Sequence, residues 1–150
     1  KSLAGTNTVV VIDHDMELPT KTLNPEREFQ GQKFVHNKAD ESSWSDFRIP
    51  GFQCRDTTIA ENTKNIAGVQ VVRPNGNAIR PSKHDCDILF NFVMEGGMTL
   101  TARGQPPNEL TSGDAFVIPP DLSTEYSDVT ADLELLEVSL PGKFKTYYDT

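Results

Sequence analysis

Short apolar runs broken by glycine and proline recur along the whole 150-residue chain, and no long segment carries a helical period. Alternation of apolar and polar positions predicts strands at Thr8–Ile12, Gln32–His36, Thr57–Ala60, Gly68–Arg73, Ile88–Glu95, Met98–Ala102, Asp114–Ile118, Thr124–Asp128 and Leu133–Leu140. The clearest is "ILFNFVME", after which Gly96-Gly97 and "MTLTA" predict a hairpin. A loose polar loop, "RGQPPNEL", separates it from "TSGDAFVIPPD". There Gly113-Asp114 opens a strand and Pro119-Pro120 closes it, because proline has no N–H to give to a ladder. Many short strands at close spacing predict an all-β sandwich or barrel rather than alternating βα units. Residues Met16 to Pro50 are polar and irregular, with a lone Trp44, and are expected to wrap the barrel or to form a dimer contact.

Composition narrows the partners. Fourteen basic residues against 22 acidic ones give a net charge of −8, which argues against nucleic acid and against an anionic membrane surface. No apolar run approaches the roughly 20 residues that span a bilayer, so a cytoplasmic protein is expected. The chain begins with Lys, which reads as a processed or trimmed product. Cys54 and Cys86 are too few for a disulfide scaffold and are expected to be reduced thiols.

Two spacings carry more. From Gly76, five residues lead to Ser82, then Lys83 and His84; four more lead to Leu89, and six more to Gly96. From Gly113, five residues lead to Pro119, then Pro120 and Asp121; two more lead to Thr124, and three more to Asp128. These frames resemble the two motifs of the cupin superfamily, the RmlC-like and type-2-like conserved barrels, and "DLELLEVSLPGKF" resembles the last strand of small bacterial cupins. The resemblance implies a double-stranded β-helix, a jelly-roll barrel over 61–150 with residues 1–60 as an N-terminal extension packing on the barrel or on a partner, and a homodimer. It also implies that Ser82, His84, Leu89 and Thr124 stand where cupins hold a divalent metal. Only His84 is a usual ligand, and a stable site wants three or four donors, so these metal-ligand positions read as degenerate. No cofactor is favoured. The alternative is Zn, Fe, Mn or Ni held by His84 and Cys86, two residues apart and on one face if the strand continues, with an acidic neighbour such as Asp85, Asp87 or Glu125. "HDCD" is otherwise expected in a solvated turn.

If His84 faces inward, alternation puts Ala78, Arg80 and Ser82 on the same face, Asn91 and Val93 in phase with Leu89, and Tyr126 in phase with Thr124. The expected ligand-binding set is Arg80, Ser82, His84, Asn91, Thr124 and Tyr126, a largely apolar pocket with a few converging polar groups. Arg80 with His84 would suit a small carboxylate. The leading reading is a small-molecule-binding cupin without the usual metal, acting as a sensor or accessory protein. Whether it is an enzyme stays open: a metal-dependent oxygenase, isomerase or lyase using His84 is one rival, and metal-free acid–base catalysis by His84 and Tyr126 another. A structural or interaction module with a filled barrel is the third. No GxSxG elbow is present. His14, between Asp13 and Asp15, forms no ready chelate, and His36 is expected at the surface. Asp128, Asp132, Glu134 and Glu137 are read as a solvated face.

Overall fold

Along Ile88–Glu95, buried positions fall at Leu89, Asn91 and Val93, and the residues between them face out or lie half-covered. That period of two is a strand with one face against the core. The computed structural model describes residues 28–149, and the strand expected at Thr8–Ile12, together with His14, lies outside them. In chain order the elements are β1 (Glu28–Phe29), β2 (Gln32–Lys33), β3 (Ser45–Asp46), β4 (Phe52–Asp56), α1 (Ile59–Asn62), β5 (Gly68–Pro74), β6 (Ser82–His84), β7 (Ile88–Glu95), β8 (Gly97–Ala102), β9 (Asn108–Thr111), β10 (Ala115–Val117), β11 (Thr124–Ser127), β12 (Glu134–Leu140) and β13 (Thr146–Tyr148). β1 and β2 form a separate hairpin; the rest make a six-stranded sheet ordered β10-β7-β12-β5-β4-β3 and a five-stranded sheet ordered β13-β6-β11-β8-β9. All the pairings are antiparallel. Among the described residues no helix is long and apolar enough to cross a membrane.

The two sheets enclose one core, in which Phe47, Ile49, Phe52, Val72, Leu89 and Leu135 are buried together. β3 and β4 come from the part of the chain before residue 60, so that segment joins the sheet by backbone hydrogen bonds as well as by packing. Arg73 stacks over the Trp44 ring, 3.7 Å from its centroid.

Several expectations need correction. No strand forms at Thr57–Ala60: Asp56 accepts a hydrogen bond from the Thr58 backbone at 2.9 Å, Thr58 takes φ 62°, and the chain turns into α1. That is an Asx turn competing with the ladder and winning. Of Gln32–His36 only Gln32 and Lys33 pair. The loop "RGQPPNEL" ends in β9, an edge strand along β8 whose one inward apolar residue, Leu110, lies opposite Met98. β6, β9 and β13 carry too few apolar residues for periodicity to show them.

The cupin-like frame is visible in the backbone itself. Asp121 stands at the motif's second glycine and takes φ 64°, a conformation that aspartate tolerates better than most residues. Gly96, between β7 and β8, has φ 71°, and a Cβ there would lie 2.7 Å from the Leu133 backbone. Gly113 also has positive φ, 99°, with open space around it. Gly113→Ala is expected to cost the backbone strain alone, about 1–3 kcal/mol. Gly96→Ala should cost more, because backbone rather than a side chain must yield. Urea unfolding of the two variants checks the order, and a smaller loss at Gly96 would contradict this packing.

Candidate functional site in the barrel interior

A row of directly paired residues crosses the inner face of the six-stranded sheet: Phe116, Asn91, Glu137, Gln70 and Asp56. Glu137 sits at its centre and is 4% exposed. Its carboxylate receives two hydrogen bonds from Arg48, Nε to Oε1 at 3.3 Å and Nη2 to Oε2 at 2.5 Å. The guanidinium also lies over the rings of Phe47 and Phe144, 4.8 and 5.2 Å from their centroids. Burial is the largest single influence and works against its charge, but the attraction of Glu137, with Tyr126 and Cys86 adding to it, leaves Arg48 above its ordinary value. Glu137 is therefore not part of a solvated acidic face. It lies in phase with Leu133 and Leu135, whereas Glu134, three positions away, must face the other side.

Sequence reasoning missed this pair. Arg48 lies in an irregular stretch, where no period says which way it points. On β12 both faces carry leucine or valine, so alternation alone left the phase of Glu137 open. The remaining signal was the alternate spacing Leu133, Leu135, Glu137 and Ser139.

Of the expected lining, Ser82, His84, Leu89, Asn91, Thr124 and Tyr126 are all buried. Arg80 is not among them. It is exposed, stacks 5.1 Å from the Tyr148 ring and donates to the Asp149 carbonyl at 3.4 Å. β6 begins only at Ser82, after Pro81, so the alternation that was to carry Arg80 and Ala78 inward does not extend to them. The guanidinium–imidazole pair expected to hold a carboxylate is not formed. His36 lies at the surface as expected, and Cys54 and Cys86 are free thiols.

His84 is fully engaged. Nε2 donates to the Ile118 carbonyl at 3.0 Å, which fixes the tautomer, and Nδ1 lies 3.1 Å from Cys86 Sγ, whose thiol proton it can accept. The Phe144 ring stands edge-on to the imidazole at 5.9 Å. Burial lowers the His84 pKa and raises that of Cys86 to about 11, so the pair is neutral near pH 7. Thr124 Oγ1 reaches the Ser82 carbonyl at 3.5 Å. These residues do not fit the cupin metal: Leu89 offers no lone pair, and both His84 nitrogens are taken. Among the described residues no group of three His, Cys, Asp or Glu side chains is placed to hold an ion.

Two polar groups in this interior lack well-formed partners. Neither Asn91 Oδ1 nor Asn91 Nδ2 has a hydrogen bond, although the residue is 1% exposed. The Tyr126 hydroxyl stands close to Arg48 without a well-formed bond, and burial keeps it protonated by raising its pKa. A cleft of about 210 Å³, walled by Gln70, Glu137, Ser139, Lys143 and Phe144, leads from the Asp56 end of the sheet to the ion pair. A larger hollow, about 460 Å³, lies at the other end among Gly51, Ile79 and Val129, and none of the expected site residues lines it.

Because Arg48 and Glu137 neutralise each other out of water, Arg48→Met should destabilise the fold by about 3–5 kcal/mol by stranding the carboxylate. Combining it with Glu137→Leu should recover most of the loss. A urea-unfolding double-mutant cycle measures this, and a single-variant cost below about 1 kcal/mol, the range of exposed pairs, would place the pair in solvent.

No family model matches the chain, and no curated protein sequence matches it. Solved structures do resemble it. Streptomyces Pac13, a nucleoside dehydratase solved with uridine, superposes with a TM-score of 0.61 at 12% identity, covering 77% of this chain and 90% of its own. KdgF from Halomonas sp. gives 0.59 at 21% identity, over 71% of this chain and 94% of its own. The polyketide cyclase RemF from Streptomyces resistomycificus gives 0.61 at 20% identity, over 79% and 86%. At these identities the likeness is one of fold, and together with the two motif frames it identifies the chain as a cupin-type jelly-roll barrel.

Proposed function

We propose that this chain is a small-molecule-binding cupin that works without the usual metal, as a cytoplasmic sensor or accessory protein, with its ligand inside the barrel beside Asn91, Tyr126 and the Arg48–Glu137 pair. The observation that carries the reading is the Asn91 amide. A buried amide without hydrogen bonds costs about 1–3 kcal/mol, and leucine at that position would avoid the cost. A residue that spends stability in this way is characteristic of a site kept for binding. The cleft that ends at Glu137, the cross-strand neighbour of Asn91, is the approach we assign to the ligand, although Asn91 and Tyr126 do not themselves line it. It is smaller than the usual 300 Å³ lower bound for drug-sized ligands, so the ligand is small. Uridine bound to Pac13 supports the barrel as a place for such a molecule, and the occupied nitrogens of His84 support a metal-free site.

Asn91→Leu is expected to raise the unfolding free energy of the ligand-free protein by about 1–3 kcal/mol. A loss instead would make Asn91 a satisfied structural amide. Metal analysis of protein purified without chelator should find no ion near one equivalent. Stoichiometric Zn, Fe, Mn or Ni, removed by His84→Ala, would overturn the metal-free reading.

The outer face of the six-stranded sheet supports the homodimer. Val117, Phe90, Val138 and Val69 form one directly paired row, and Ala115, Phe92, Leu136 and Val71 a second. Val117 is 57% exposed, Ile88 45% and Phe92 36%. Val71 is buried and Phe90, Val69, Leu136 and Val138 are half-covered, so the exposed apolar part is the β7–β10 side, where Ile88, Phe92 and Val117 lie close together. Light scattering should give a dimer for the native chain and a monomer for Phe92→Glu combined with Val117→Lys; a native monomer would remove this assembly.

A further inference from the structure

We infer that the ligand of the barrel interior is uncharged and presents an N–H donor beside a carbonyl acceptor, as a lactam or cyclic imide edge does; this rests on the interior being a ligand site, as proposed above. Asn91 leaves both a donor and an acceptor open on one planar group, in a position 1% exposed. The complement of such a group is another amide edge, whose carbonyl receives the Nδ2 proton while its N–H is accepted by Oδ1. The Tyr126 hydroxyl, a donor without a well-formed bond, adds a second proton for the ligand carbonyl.

Charge points the same way. Glu137 is the one fully buried charged side chain among the described residues, and its charge is spent on Arg48 through two hydrogen bonds. At the cleft mouth Asp56 and Lys143 also have opposite signs. Asp56 and Lys143 form no ion pair with each other, but beside Asn91 the charges of Arg48 and Glu137 are already matched, so an ion seated there would cost several kcal/mol. The side chains packed around Asn91 and Tyr126 are aromatic and suit an apolar-bodied molecule. Phe52 and Phe116 stand edge-on to the Tyr126 ring, with centroids at 5.7 and 6.5 Å, and Phe116 is the cross-strand neighbour of Asn91.

Three six-membered rings of similar size separate the possibilities. 2-Piperidone carries the donor–acceptor edge, cyclohexanone the carbonyl alone, and cyclohexanecarboxylate a charge. Saturation-transfer NMR and calorimetry with the full chain at millimolar probe should show 2-piperidone binding at least about tenfold more tightly than cyclohexanone, since a site built to pair a group rejects the analogue lacking it. Cyclohexanecarboxylate should bind most weakly. Asn91→Leu should erase the preference, and Tyr126→Phe, which keeps the ring, should weaken 2-piperidone. If cyclohexanecarboxylate binds best and depends on Asn91, the ligand class is overturned while the interior site stands. If no probe binds, or binding ignores Asn91→Leu, the interior holds only water and both readings fall.

Discussion

Taking a guanidinium and a carboxylate out of water costs several kcal/mol for each, even after the protein relaxes around them. Arg48 and Glu137 offset that cost with a two-point hydrogen-bonded contact, and the Phe47 and Phe144 rings lie against the guanidinium. The geometry this requires governs much of the interior. Arg48 comes from the stretch before β4 and Glu137 from the middle of β12, 89 residues apart. Phe144 follows the last long strand and is held between Arg48 and His84. The Tyr148 hydroxyl bonds the Arg48 carbonyl from outside, so the C-terminal strand is drawn into the same arrangement.

The residues at the motif positions are all engaged within the protein. His84 is bonded to a main-chain carbonyl and to Cys86, Thr124 reaches the Ser82 carbonyl, and Leu89 packs in the core. A second set of polar side chains lies on the inner row of the six-stranded sheet, where Asn91 and Glu137 are cross-strand neighbours. There a neutralised ion pair, an amide and a phenol share an apolar enclosure.

The frame of the barrel was legible because it depends on local rules. The extent of β7 was readable from its apolar run, but Ile88, Phe90, Phe92 and Met94 on its outer face are apolar too, so its phase came from Leu89 in the motif frame. The Gly96 turn was readable because only glycine accepts both its backbone angle and the Leu133 backbone beside it. Inward placement of Ser82, His84, Asn91, Thr124 and Tyr126 followed from the same period of two. Arg80 was misplaced because the period was carried across Pro81 into a segment with no ladder. Arg48 and Glu137 were missed because one sits outside any period and the other on a strand apolar on both faces.

The amino-acid sequence by itself therefore determined the all-β class and the spacing of strands and turns. Those are properties of single residues and of neighbours along the chain. Only the tertiary structure decided which polar groups meet inside. The partners of Glu137, His84 and Asn91 come from distant parts of the chain, and whether a buried group is paired or open depends on where the two sheets close over it.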